Sequence, residues 1–133
     1  MERRQWERTP RPNNTVIRWS HLYITLNPSG KLCFNRYTFE RLGEPEAALL
    51  LYDRATQTIG VQPAQLTDDD AFPICRVTKK PGRVIHAARL IKEWNIELPY
   101  GVRFHRANFN TDGILVLDLR ETRRTQRARG GEG

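Results

Sequence analysis

The groups in this 133-residue sequence whose types and spacing could do chemistry are its lysines and arginines. Such side chains neutralise phosphate groups, so their clustering predicts a surface that binds a polyanion. Six of them fall within seventeen positions, with Glu93 as the one acid beside them. The six are Arg76, Lys79, Lys80, Arg83, Arg89 and Lys92. An earlier and more acidic stretch contributes Lys31 and Arg36.

Both a functional and an ordinary interpretation of these cations are open. In the functional interpretation, phosphate contacts position the protein, and Lys80 or Arg83 reads a base at a groove edge. In the ordinary one, the cations are solvated positions on turns and on an exposed helix face. Further arginines towards the end of the sequence raise the same choice, between phosphate binding and mere solubility. They are Arg123, Arg124, Arg127 and Arg129.

Residue types that support catalysis or metal binding do not have the spacing that they need. The three histidines show no metal-ligand spacing with one another or with Cys33 and Cys75. The acidic run at 68–70 lacks the alternating ligands and the glycine of a calcium loop, so we interpret it as a solvated connector. We therefore expect no enzymatic activity, no cofactor and no bound metal.

Composition points to the same class of partner. The formal net charge is +7 and the isoelectric point is near 10.0. DNA is the expected partner, RNA stays open, and a protein partner or a second copy of the chain is a further possibility. Two cysteines without disulfide or metal spacing are typical of a reduced, cytoplasmic protein. No apolar run approaches the length of a membrane span, so we expect no membrane contact.

The elements that must position the cations are short strands and short helices. Residues 23–64 are expected to form strand, tight turn, strand, helix, strand, turn and strand. Gly30 supplies the left-handed conformation that a tight turn needs. Asn35 can cap the helix, and Gly43 is placed to end it.

The same plan is repeated later in the chain. A shift of 52 positions (82 − 30) places Gly82 on Gly30 and Asn95 on Gly43 without a gap. Glycine and asparagine most readily end a helix in the left-handed region, so the exchange preserves the helix end. The second helix is predicted over 87–94, and about three extra residues are needed in the last turn. We therefore predict an internal duplication.

Each copy, at about 45 residues, is too small to bury a core by itself, so we expect the two copies to share one. The predicted organisation has five parts: a disordered basic arm at 1–15, a first unit at 16–63, an acidic linker at 64–71, a second unit at 72–119 and a disordered basic tail at 120–133.

The Gly-Lys pair at 30–31, the helix that ends at Leu42-Gly43 and the strand pair that follows resemble the AbrB/SpoVT family of swapped-hairpin transcription factors. Two such units in one chain are similar to the tandem arrangement of the MraZ proteins. The resemblance implies a mostly β fold with short helices, in which two ββαββ units interleave their hairpins in a pseudo-two-fold barrel. It also implies that basic residues of the turn and of the following helix lie against DNA.

By position, the family's Gly-Arg pair corresponds to Gly82 and Arg83 in the second unit. A first-strand arginine of the family corresponds to Arg76, and a basic residue late in its helix corresponds to Lys92. The acid that the tandem family has four positions before the arginine is replaced here by Lys79.

We therefore expect a DNA-binding protein, either a transcription regulator or the DNA-binding subunit of an assembly, that contacts phosphates through basic turns and tails. About six phosphate contacts predict a slope of about −5 in log K against log salt. The alternative is a protein-interaction module, either antitoxin-like or an assembly subunit. Such a module docks a partner through strand edges or tails without reading DNA.

Overall fold

The computed structural model describes residues 21–125. Over that range the chain is mostly β, with two antiparallel sheets and two short helices, which confirms the coarse fold class predicted from the sequence. In chain order the elements are β1 (Ile24–Leu26), β2 (Lys31–Phe34), α1 (Arg36–Arg41), β3 (Ala47–Asp53), β4 (Thr58–Ala64), β5 (Phe72–Pro73), β6 (Cys75–Arg76), β7 (Arg83–His86), α2 (Ala88–Glu93), β8 (Val102–Phe104), β9 (Asn108–Phe109), β10 (Leu115–Asp118) and β11 (Thr122–Arg124).

The strands form one six-stranded and one five-stranded sheet. Their orders are β11-β8-β1-β2-β7-β6 and β5-β3-β4-β10-β9. The segment 72–76 joins the two sheets, because β5 pairs with β3 in one sheet while β6 pairs with β7 in the other. Neither sheet closes on itself. Strand β8 pairs with β1 and β11, and strand β10 pairs with β4 and β9.

The turn between β1 and β2 is made by the residues that the sequence predicts. Gly30 has a φ of 89°, in the left-handed region that glycine enters most readily. The side-chain oxygen of Asn27 accepts hydrogen bonds from the Lys31 N–H at 2.9 Å and from the Ser29 hydroxyl at 2.8 Å. The side chain of Asn27 thereby replaces missing backbone partners in the turn.

Both helices end as predicted, but they begin differently. Gly43 after α1 has a φ of 92°, and Asn95 after α2 has a φ of 59°. In both cases the N–H of this residue donates to the carbonyl three positions earlier at 3.0 Å. At the start of α1, the Asn35 side chain accepts from the Thr38 N–H at 2.9 Å, as an N-cap does. At the start of α2, Ala87 offers no side-chain cap.

One cluster of buried apolar side chains contains residues of both sheets and of both sides of the 64–71 segment. A shared core is expected for a chain whose two halves are each too small to bury a core alone. Strand β1 alternates as predicted, with Ile24 and Leu26 fully buried. In β3, Leu50 packs against the cluster while Leu51 is 40% exposed. Periodicity alone therefore located β3 without identifying its inner face.

The last third of the chain departs from the predicted hairpin between residues 102–106 and 114–119. Strand β10 pairs with the two-residue strand β9 across the turn that ends at Gly113, and β8 pairs with β11. Residues Thr122–Arg124, which the sequence assigns to the tail, therefore form part of the six-stranded sheet. Because β10 does not occupy that side of β8, the backbone groups of β8 find their partners in β11.

The two cysteines lie on opposite sides of β7. Cys33 of β2 and Cys75 of β6 both pair in register with Val84, and both are free and half-buried. Two strand spacings separate them, about 10 Å, which is too far for a disulfide. Burial raises the pKa of the Cys33 thiol, although a hydrogen bond from Thr25 acts in the opposite direction.

Candidate nucleic-acid interface

The predicted cations are divided between the two ends of the central strand pair, β2 and β7. At one end Arg83 lies opposite Phe34, and at the other His86 lies opposite Lys31. With four residues in each strand, the two ends are about 10 Å apart along the strands. We call the first the arginine end, defined by Arg36, Arg76, Lys79, Lys80 and Arg83. We call the second the glycine end, defined by Gly30, Lys31, His86, Ala88, Arg89 and Lys92.

Arg83 is the most buried cation of the arginine end, with 8% of its surface exposed. Its Nη1 atom donates to the carbonyl of Pro81 at 2.7 Å and to that of Gly82 at 3.1 Å. The guanidinium group lies over the ring of Phe39 in α1, 4.3 Å from its centroid. In this orientation Arg83 is bound to its own turn and to the helix, so it does not extend toward a groove edge. Lys80 is exposed, and its predicted contact with a base stays a prediction.

Positive charge is concentrated around Arg83. Arg76 lies directly opposite it on β6, and Arg36 opens the helix that carries Phe39. Burial lowers the pKa of Arg83, and the charges of Arg76 and Arg36 lower it further. Glu44 acts in the opposite direction. The electrostatic potential of this end is therefore positive, and removal of a solvent-exposed cation should reduce it.

The cations around Arg83 differ in how well they are neutralised. Arg36 forms an ion pair with Glu40 at 2.9 Å, four positions later in α1. Within residues 21–125, Arg76, Lys79 and Lys80 form no ion pair. All three are exposed, on β6 and on the turn that connects it to β7. They are the cations of this end that are free to contact phosphate.

The glycine end has fewer free charges. Lys31 is exposed, and α2 begins beside the turn because the Ala87 N–H donates to the Gly30 carbonyl at 2.8 Å. Arg89 in the first turn of α2 lies 3.8 Å from Glu93, at the limit of an ion pair. The six cations that are close in sequence are thus separated by the fold, with four at one end of β7 and Arg89 and Lys92 at the other.

Two of the four late arginines lie within the described residues. Arg123 and Arg124 are exposed on β11, and the Arg124 guanidinium lies 4.7 Å from the ring centroid of Tyr100. Arg127 and Arg129 lie outside the described residues, as does the arm predicted at 1–15. Sequence reasoning missed Arg103, which lies opposite Arg123 and 5.1 Å from the Tyr23 ring centroid. Its position between Val102 and Phe104 was the available signal, since alternation turns it away from the core.

Chemistry other than charge is limited in the part of the chain that the structure describes. No group of three or more histidine, cysteine or acidic side chains there could hold a metal ion. Neither helix of that part combines the length and the apolar character that a membrane crossing requires. An open cavity of about 700 Å³ lies between the end of α1 and the β9–β10 turn. A second one, of about 360 Å³, lies between the end of α2 and the β3–β4 turn.

Comparisons of the whole chain with family models, with curated proteins and with solved structures gave no match.

Proposed function

We propose that this chain is a DNA-binding protein, either a transcription regulator or the DNA-binding subunit of a cytoplasmic assembly. The arginine end is the observation that carries the proposal. It brings three exposed cations without ion pairs next to the buried Arg83. Like charges held this close repel one another, and a row of phosphates relieves the repulsion and releases condensed counterions.

Arg83 supports the interface indirectly. Its two hydrogen bonds to Pro81 and Gly82 hold the turn that presents Lys79 and Lys80. Lys79 itself has a φ of 58°, a left-handed conformation that is uncommon for a residue other than glycine. A turn that is fixed before binding loses less conformational entropy when it contacts phosphates.

The same proposal includes two interleaved units related by a pseudo-two-fold axis, as in the swapped-hairpin fold. Strands β2 and β7 differ by 52 positions (83 − 31), the shift that relates the two halves in sequence. They pair antiparallel over their full length, so a local two-fold axis exchanges them. Strands β4 and β10 pair in the same way in the other sheet, with Gly60 opposite Val116 and Val61 opposite Leu115. There the shift is 55, in agreement with three extra residues in the last turn.

Contacts between the halves support the interleaving. Each helix lies against the first turn of the other half: Gly30 contacts Ala88 in α2, and Arg83 lies over Phe39 in α1. The two open cavities repeat the pattern, because each lies between the end of one helix and the second turn of the other half. The ring of Trp94 after α2 stacks on Tyr52 of β3, with centroids 4.7 Å apart.

Salt-dependent binding of the full chain to labelled duplex DNA tests the nucleic-acid proposal. Affinity is measured by fluorescence anisotropy between about 50 and about 200 mM salt. Replacing Lys79 and Lys80 together by glutamine should lower affinity, and should reduce the slope of log K against log salt by about 2.

Arg120→Gln is the matched control. Arg120 is exposed, but its Nε atom lies 3.1 Å from the Asp118 carboxylate, which already neutralises it. The slope should therefore change little. Arg89→Gln with Lys92→Gln measures the glycine end, and glutamine at Arg123, Arg124, Arg127 and Arg129 measures the tail. An unchanged slope for the Lys79 and Lys80 variant, or a total loss of slope with the tail variant alone, would exclude the arginine end as the interface.

The alternative function, a protein-interaction module, is supported by a different feature. Within residues 21–125, strand β11 is an edge strand of the six-stranded sheet.

A further inference from the structure

Strand β11 forms one edge of the six-stranded sheet, and some of its backbone groups are unpaired within the described residues. On its inner side, the Glu121 carbonyl accepts a hydrogen bond at 2.9 Å and the Thr125 N–H donates one at 3.0 Å, both with residues that flank β8. Hydrogen-bonded and non-hydrogen-bonded pairs alternate along an antiparallel ladder. The N–H and C=O groups of Thr122 and Arg124 therefore point away from β8. Within residues 21–125 these four groups have no hydrogen-bond partner.

The side chains of this edge are cationic. Arg123 and Arg124 are exposed and form no ion pair within the described residues. Arg123 lies opposite Arg103, whose Nε atom is buried and has no hydrogen-bond partner. Beside Arg124, the ring of Tyr100 is 42% exposed and offers an apolar contact. The edge therefore combines main-chain donors and acceptors, positive charge and one aromatic ring.

We propose that the β11 edge binds an extended acidic peptide segment of a partner protein, which adds a seventh strand to the sheet. Main-chain hydrogen bonds to Thr122 and Arg124 give affinity, and acidic side chains of the segment pair with Arg123 on one face of the sheet or with Arg124 on the other. The inference does not rest on the proposed DNA-binding function, because it uses groups that duplex DNA does not require.

Other occupants fit this edge less well. A second copy of β11 in antiparallel pairing would place arginines opposite arginines, and like charges directly opposite one another destabilise a sheet. Duplex DNA would satisfy the charge but not the alternating N–H and C=O groups of the strand. An acidic segment in β conformation satisfies both.

The test is a fluorescence-anisotropy titration of the full chain with a labelled peptide of alternating glutamate and valine. We expect binding that falls at least about fivefold when every backbone nitrogen of the peptide is methylated, because methylation then removes the donors of both edges of the peptide. A labelled peptide of alternating lysine and valine should bind much more weakly. Exchanging Arg123 and Arg124 for glutamate should reverse that preference.

Thr122→Pro tests the edge from the side of the protein. The Thr122 N–H points outward, so proline removes a donor to the added strand and leaves the ladder to β8 intact. Peptide affinity should fall about fivefold, while duplex DNA affinity should stay unchanged. Thr111→Pro is the matched control, since residue 111 lies at an exposed turn position that tolerates proline.

Three results would overturn the proposal. The first is equal binding of the methylated and unmethylated peptides to the unmodified chain, which would make the attraction purely electrostatic. The second is an equal effect of Thr122→Pro and Thr111→Pro. The third is complete displacement of the peptide by duplex DNA, combined with no effect of Thr122→Pro on the affinity for the peptide or for DNA. If Thr122→Pro fails to fold, the methylated peptide decides the question on the unmodified chain.

Discussion

The two ends of the β2–β7 strand pair are packed by different kinds of contact, one between backbones and one through a charged side chain. At the glycine end, main chain meets main chain: a Cβ added to Gly30 would lie 2.4 Å from the Cα of Ala88. At the arginine end, the corresponding Gly82 is less crowded, with the Phe34 carbonyl oxygen 3.0 Å from its added Cβ. There the contact between the halves is made by the Arg83 side chain over Phe39.

This difference shows how the two ends of one strand pair can carry unequal surfaces. A contact between backbones needs small residues and brings no charged group into the contact itself. A contact through a long side chain places a guanidinium group in the contact. The glycine end therefore packs without a charged side chain in the contact, and the arginine end packs through one.

The largest effect should come from Gly30→Ala. Alanine in the left-handed region costs about 1–2 kcal/mol, and overpacking against the α2 backbone adds a similar amount or more, so we expect a loss of about 4 kcal/mol. Urea unfolding measures it. Gly113→Ala is the control, since Gly113 has a φ of 78° and open space around it. If both variants lose the same free energy, the close approach to Ala88 contributes nothing.

The next largest effect should come from Arg83→Ala. It removes two hydrogen bonds from a buried guanidinium and its contact with Phe39, so we expect a loss of about 2–3 kcal/mol in the free energy of unfolding. Arg83→Lys keeps the charge but not the planar fork, and should lose about 1 kcal/mol. Arg89→Ala, an exposed position, should change stability by less than about 0.5 kcal/mol. Equal losses for Arg83→Ala and Arg89→Ala would contradict the role given to the arginine end.

A smaller effect is expected for the cap at the arginine end. Asn35→Ala leaves the Thr38 N–H without its partner and should lower the free energy of unfolding by about 1 kcal/mol. Asn35→Asp preserves an acceptor at this position and should recover most of the loss. Because α2 has no side-chain cap, the two helices should differ in hydrogen exchange at their first turns. Equal free energies of unfolding for Asn35→Ala and Asn35→Asp would show that the cap has no effect on stability.

The smallest effect concerns a pair outside both ends, which serves as a baseline. A hydrogen bond from Arg120 lowers the pKa of Asp118 below its usual value. The pair therefore contributes stability above the unfolded pKa of about 3.9, and the contribution is lost as pH falls through the lower folded value. Asp118→Asn should flatten the pH dependence of unfolding slightly in the acid range. If Asp118→Asn and the unmodified chain show the same pH dependence of unfolding in the acid range, the Asp118–Arg120 pair does not contribute to stability.

Local physics explains what sequence reasoning found. The left-handed Gly30, the Asn35 cap and the two helix ends at Gly43 and Asn95 depend on residues within a few positions of one another, so their conformations were predictable. Missed features involve distant partners. The inner face of β3 and the strand formed by residues 122–124 depend on which strand lies beside them.

The candidate site followed the same division. Residue types identified every cation of the arginine end, since lysine and arginine are read directly from the sequence. How these cations group in space could not be predicted from the sequence. The antiparallel pairing of β2 with β7 places Arg89 and Lys92 at the opposite end from Arg76 and Lys79. The burial of Arg83 also escaped prediction, since it depends on Phe39, which is distant in sequence.

By itself, the sequence determined the turn chemistry, the helix ends, most of the strand positions and an excess of positive charge, because each of these is encoded by neighbouring residues. The tertiary structure alone decided which cations stand together, which one is buried and that residues 122–124 form an edge strand. Those properties arise from contacts between residues far apart in the chain, and local physics does not constrain such contacts.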